Sequence, residues 1–246
     1  MAIDSKRFKE SSSYPDEPYV AEHFFAYLGR LFAHLFVRTP LTPNQITWFW
    51  GGLMVLSGLL YSTGSYVPCI LGGIIWVCAY GMDYTDGIIA RYKDMKSAKG
   101  AYLDLVVHRV TYPILMFCIG WGVYVSGGVP WIDFSWFDDT FYIYLGLAAG
   151  VSMDVFMDLV PMYEKFKVGE KTFEDRKGST AVEGRLVKNQ DLFKKLMNFN
   201  PLVFTNMMLM LPVFAILDLM GLFIIIYGVG YTLVTAARVV IMYRDL

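Results

Sequence analysis

Apolar residues fall in six long blocks along this chain, separated by short polar stretches. They run from Asn44 to Ser62, Tyr66 to Met82, Tyr102 to Val125, Phe141 to Pro161, Pro201 to Leu217 and Gly221 to Tyr243. Each is close to the ~20 residues a helix needs to cross a bilayer. Pro43 and Pro201 suit the first turns of the first and fifth helices, where a missing N–H costs little. Ahead of these blocks lies "VAEHFFAYLGRLFAHLFVR". Val20, Phe24, Phe25, Leu28, Leu31, Phe32, Leu35 and Phe36 share one helical face there, and Glu22, His23, Arg30 and His34 share the other. The pattern predicts an all-α integral membrane protein with six transmembrane helices, preceded by an N-terminal interfacial amphipathic helix. A helix packed on the protein's own membrane domain is the competing reading of that segment. The division is then residues 1–40, an N-terminal segment, and 41–246, a six-helix membrane domain.

Composition agrees with this: 56% of the residues are hydrophobic, only 17% are charged, and mean hydropathy is +0.44. Those values exclude an ordinary soluble domain. The net charge of −1 conceals a strong segregation. All 21 Lys and Arg fall on one side of the six blocks or at its border, and connections 63–65, 126–140 and 218–220 carry only Asp133, Asp138, Asp139 and Asp218. The positive-inside rule then places both termini in the cytoplasm, as an even number of spans requires. The first twenty residues are polar, so no cleavable signal peptide is expected. Residues 164–200 hold nine Lys/Arg against six acids. That connection reads as a solvated loop, with capping a site or touching anionic lipid as the alternatives. Cys69, Cys78 and Cys118 show no ligand or disulfide spacing and read as small hydrophobes. No nucleic-acid partner is expected.

The chemistry concentrates in "MDYTDGIIARYKDMKSAKGAYLDLVVHRV". Asp83, Asp86 and Ala90 share one face of the second helix, with Gly87 beside them and Arg91 at the exit. Gly100, Asp104 and His108 form a stripe on the third helix. The two helices are antiparallel neighbours, so the stripes face each other at the membrane border. Carboxylates converging there repel unless they bind cations. Hard oxygens at this density suit Mg²⁺ or Mn²⁺, ions that also engage substrate phosphates. Gly87, Ala90 and Gly100 let a bulky ligand approach the backbone, and Arg91 suits a phosphate. Helix-end solvation with Asp–Lys pairing is the rival reading, but it leaves the glycines unexplained.

This segment resembles the signature of the CDP-alcohol phosphotransferase (CDP-alcohol phosphatidyltransferase) family, D-x2-D-G-x2-A-R-x8-G-x3-D-x3-D, with His108 at the place of the fourth Asp. "TPNQIT", Thr42 to Thr47, is similar to the family's Pro-Asn-x-x-Thr at the first span. The resemblance implies a membrane enzyme with a cytoplasmic active site in residues 41–246. It would move a substituted phosphate from a CDP-linked donor to an alcohol acceptor, one of the two being lipidic, and release CMP. Asp83, Asp86 and Asp104 would hold one or two metal ions. Asn44, Thr47, Gly87, Ala90, Arg91 and Gly100 would line the donor pocket. His108 stands where the family has a metal ligand and proposed base, so His108 and Asp104 are the catalytic candidates and His108 the fourth metal candidate. Its imidazole suits Mn²⁺ better than Mg²⁺. Arg109, Asp154, Asp158 and Arg238 lie at similar depth and are candidates for an acceptor pocket. Helix-linking ion pairs are the rival there, and Asp154 and Asp158 are also the nearest further acids for a metal shell. Gly146-x3-Gly150 reads as a helix-packing seam, and in a homodimer as its interface. A CDP-lipid binder that has lost turnover is the alternative function. A small transporter fits less well, because its polar groups belong on broken helices at the midplane.

Overall fold

The computed structural model describes residues 4–13, 20–129, 138–168 and 204–245. All regular structure among them is helical: α1 (Ser5–Ser11), α2 (Val20–Phe36), α3 (Pro43–Tyr61), α4 (Tyr66–Tyr92), α5 (Ala98–Val125), α6 (Phe141–Val168), α7 (Phe204–Ile216) and α8 (Met220–Asp245). Four of them are long and apolar enough to cross a membrane, over Tyr66–Tyr92, Ala98–Val125, Phe141–Tyr163 and Met220–Arg244, and Thr205–Ile216 is a shorter apolar helix. With α3 these occupy the six apolar blocks. The protein is an integral membrane protein. Pro201, Asp133 and the basic stretch 169–200 lie outside the described residues.

The helices that carry the polar stripes outrun their apolar blocks. α4 continues to Tyr92, ten residues past Met82, and α5 begins at Ala98 rather than Tyr102. Hydropathy falls in these extensions, but the helical period persists: Thr85, Ile88 and Ile89 remain buried. Tertiary packing therefore sustains the helix beyond the apolar zone. This carries Asp83, Asp86 and Arg91 on rigid backbone.

α4 and α5 meet through α3. α3 packs against both, α6 packs on α5, α8 on α6, and α7 on α4. α3 starts with a capping box: the Gln45 N–H donates to Thr42 Oγ1 at 3.3 Å, and the Thr42 N–H donates to Gln45 Oε1 at 2.9 Å, with Pro43 at the first turn. Such a cap contributes about 1 kcal/mol and fixes where the α3 register begins. α2 lies on α4. Its buried stripe is mostly small, Ala21, Phe25, Ala26 and Ala33, while Phe24, Tyr27, Leu31 and Leu35 are exposed. The helix thus packs on the protein with one face and keeps an apolar face outward.

Small residues let α5 and α6 touch. A Cβ on Gly146 would meet the Met116 carbonyl at 2.5 Å, and one on Gly150 would meet Pro113 Cα at 2.7 Å. The Gly146-x3-Gly150 seam is therefore filled from within the chain and is closed to a second copy, contrary to its reading as a dimer interface. Cys69 and Cys118 are buried and Cys78 is half-buried, all as free thiols.

Gly150→Val tests this packing. Overpacking against Pro113 backbone should cost about 1–3 kcal/mol and lower the melting temperature in detergent. A variant melting with the parent would show that the seam is loose.

Candidate active site

The site forms where α3, α4 and α5 meet. Asp94 sits in the turn between α4 and α5 with φ 53°, a conformation Asp tolerates better than most residues. Ser97 then caps α5, its Oγ accepting the Gly100 N–H at 3.0 Å. The tight turn keeps the two polar stripes opposed. Lys93 closes the other side, its ammonium donating to the Thr39 and Leu41 carbonyls at 2.7 and 2.9 Å. Burial lowers the Lys93 pKa from its ordinary value. These bonds lock the segment leading into α3 against the end of α4.

Asp83, Asp104 and His108 form a compact cluster, with one ligand atom from each within 4.8 Å of the others. His108 Nε2 lies 3.3 Å from Asp83 Oδ2, and its Nδ1 lies 3.4 Å from Asp104 Oδ1. Nδ1 is also 3.0 Å from the Asp104 carbonyl one turn back, which accepts only, so this nitrogen carries the hydrogen. Nε2 of the neutral ring then presents a lone pair toward a carboxylate. The ring can satisfy both neighbours only with a second proton, or with a metal ion between Nε2 and Asp83. Asp104 Oδ1 is buried and takes no hydrogen bond. Two carboxylates and an imidazole nitrogen with these unmet demands fit a divalent cation.

Asp86 stands beside this cluster, tied to α3. Its Oδ2 accepts from Thr47 Oγ1 at 2.7 Å and from the Trp50 indole at 2.9 Å. Trp50 also lies 4.7 Å from the His108 ring, with Tyr112 at 5.1 Å. Both aromatics are buried. Neither was among the sequence candidates. Trp50 could have been found, because it follows Thr47 by three residues on the same helical face. Tyr112 repeats the stripe of Gly100, Asp104 and His108 one turn further.

A cavity of about 300 Å³ opens next to the cluster. Asn44, Thr47, Gly87, Ala90, Arg91 and Gly100 all line it, together with Asp86 and Asp104. The structure thus brings every donor-pocket candidate around one space. A Cβ on Gly100 would lie 3.1 Å from Asn44 Oδ1, so glycine permits this approach of α5 to α3. Arg91 donates from Nε to the Ser11 carbonyl at 2.6 Å.

The acceptor candidates do not converge on that cavity. Arg109 follows His108 by one residue and so turns about 100° around the helix, toward α6. It donates to the Asp154 carbonyl at 2.8 Å, pairs with Asp158, and has Asp154 Oδ1 at 3.6 Å. Arg238 stacks over Phe156, 4.2 Å from the ring centroid. Asp154 and Asp158 therefore link helices through Arg109 and stand outside the compact cluster; their expected part in a metal shell is not what the geometry gives.

Comparison with curated proteins gave no match. The family model for CDP-alcohol phosphatidyltransferase matches residues 40–160, from the turn before α3 to well inside α6. That stretch contains the cluster and all the motif residues in the cavity wall. This family transfers substituted phosphate groups in the membrane from a CDP-linked donor to an alcohol and is generally dependent on divalent metal. The chain belongs to the CDP-alcohol phosphatidyltransferase family.

Proposed function

We propose that this protein transfers a phosphatidyl or phosphoalcohol group from a CDP-linked donor to an alcohol in lipid biosynthesis, releasing CMP. One observation carries the reading: Asp104 belongs at once to the Asp83–Asp104–His108 cluster and to the wall of the cavity formed by the motif residues. A diphosphate seated in that cavity would touch the cluster. Asp83, Asp104 and His108 Nε2 would hold the ion, with Asp86 at its border. When bound, the ion would offset diphosphate charge and polarise the scissile bond.

The chain's own groups do the remaining work. Arg91 holds a phosphate oxygen. Thr47 and Trp50 fix Asp86, so its carboxylate is set before substrate arrives. The acceptor hydroxyl oxygen attacks the phosphorus bearing the transferred group, the bond to the CMP oxygen breaks, and CMP leaves with the electron pair. The hydroxyl proton passes to Asp104, the carboxylate that the cluster and the cavity wall share. His108 Nε2 is oriented as a ligand by its Nδ1 bond to the Asp104 carbonyl, a better fit to this geometry than the role of base. A second reading, a CDP-lipid binder without turnover, draws on the same His108, since a neutral ring supplies one negative charge fewer than a fourth carboxylate.

α3 completes a six-span bundle in this reading, since Trp48, Phe49, Leu56 and Leu59 stand exposed along it as lipid-facing groups would. The Lys/Arg bias puts the termini and the site in the cytoplasm, and the apolar stripe of α2 in the inner leaflet interface.

CMP release over a panel of CDP donors and alcohols, with Mg²⁺ or Mn²⁺, separates the two readings. Turnover with a matched pair supports the enzyme; saturable CDP-lipid binding without CMP favours the binder. Asp83→Asn, Asp86→Asn and Asp104→Asn should each lower turnover at least ~100-fold while melting like the parent. A folded variant with parental turnover would remove that residue from the site. His108→Asp should keep activity and shift metal preference toward Mg²⁺; an unchanged Mn²⁺/Mg²⁺ ratio would mean that His108 is no ligand.

Orientation is tested by single exposed cysteines on a background free of native thiols. Ser13→Cys should react with an impermeant reagent only after the inner face is opened, and Ser65→Cys from outside in sealed cells. The reverse pattern would invert the topology.

A further inference from the structure

α1 lies outside the region that matches the family, yet it is fastened to the residues around the cavity. Asp4 caps it, accepting the Lys6 and Arg7 N–H groups at 3.0 and 3.2 Å. A seven-residue helix is not stable by itself in water. Contacts with the end of α4 hold it. The Asp4 N–H donates to the Tyr92 hydroxyl at 3.1 Å, and Arg7 pairs with Asp94. Phe8 sets its ring edge-on to Tyr92 at 6.2 Å and to His34 at 5.4 Å. Ser11 and Ser12 are buried in an otherwise polar and exposed segment. Their carbonyls accept from Arg91 Nε at 2.6 Å and from Arg30 Nε at 3.1 Å.

A second cavity of about 370 Å³ lies under this helix, between Glu10, Ser11 and Asp94, and it shares Arg91 and Lys96 with the first. Arg91 is thus the partition between the two spaces. Its Nε bond to a fixed carbonyl sets the plane of the guanidinium, and a fork held in one plane loses less entropy on meeting a phosphate. We propose that α1 is a working part of the donor site: seated by Phe8, it positions Arg91 for the nucleotide phosphate and forms the outer wall of the nucleotide end. Ser11 and Phe8 are positioning residues in this account, acting through Arg91. The proposal rests on the reading of the Arg91 cavity as the CDP-donor site.

Full-length Phe8→Ala, Phe8→Leu and Arg7→Ala test it, with CMP binding by calorimetry beside steady-state kinetics. Phe8→Ala should raise donor KM and the CMP dissociation constant about tenfold, with kcat and acceptor KM within about twofold of the parent. Phe8→Leu keeps an apolar seat and should stay near the parent. Arg7→Ala breaks an exposed pair and should weaken CMP by about two- to threefold; it carries the test if Phe8→Ala does not fold. Unchanged CMP affinity and donor KM in the folded variants would overturn the role of α1, as would a loss confined to kcat. A parent that does not bind CMP at all would overturn the donor-site reading itself. A parent that binds CMP without turnover would leave the calorimetric test of α1 in force.

Discussion

The structure depends on an electrostatic debt at one point. Asp83, Asp104 and His108 place acceptor atoms within 4.8 Å of each other, and Asp86 stands close by. Such groups repel in a medium of low dielectric unless positive charge joins them. A proton on His108 answers part of that demand, and a divalent cation answers more. A His in this cluster has a consequence that an Asp lacks. Its Nδ1 is held by the Asp104 carbonyl, so Nε2 alone faces Asp83. The ring is thereby oriented by backbone that the α5 helix already fixes.

The scaffold serves that convergence. The capping box at Thr42 and Gln45 starts α3 in the register that lets Thr47 and Trp50 reach Asp86. Lys93 ties the segment before α3 to the end of α4. The seam at Gly146 and Gly150 brings α6 hard against α5, while Arg109 joins the same two helices through Asp154 and Asp158. α5 is thus held against α6 at two levels. Movement of its polar stripe would disturb both glycine packing and an ion-pair network.

Much of this was legible in the sequence, for a physical reason. Apolar blocks report spans because lipid imposes length, and the helical period of Asp83, Asp86, Asp104 and His108 placed them on facing stripes. The donor-pocket candidates likewise meet at one cavity. What was not legible depends on pair contacts. Hydropathy ends at Met82, although packing by Ile88 and Ile89 carries α4 to Tyr92. The Gly146 seam has the same appearance whether the partner helix belongs to this chain or another. Arg109 and Asp154 share depth with the cluster but face away from it, which hydropathy does not register. The fastening of α1 to Arg91 joins residues far apart in sequence through backbone carbonyls, and no side-chain pattern announces that.

The central claim is that this cluster binds a divalent ion through His108 and presents it to a CDP-linked diphosphate. Pulsed electron paramagnetic resonance of Mn²⁺ bound to the protein tests it most directly. The expected spectrum shows nitrogen coupling from an imidazole, lost in His108→Asp, and phosphorus coupling that arises on adding a CDP-linked donor. Mn²⁺ that binds with neither coupling, or with nitrogen coupling that survives His108→Asp, would contradict the account.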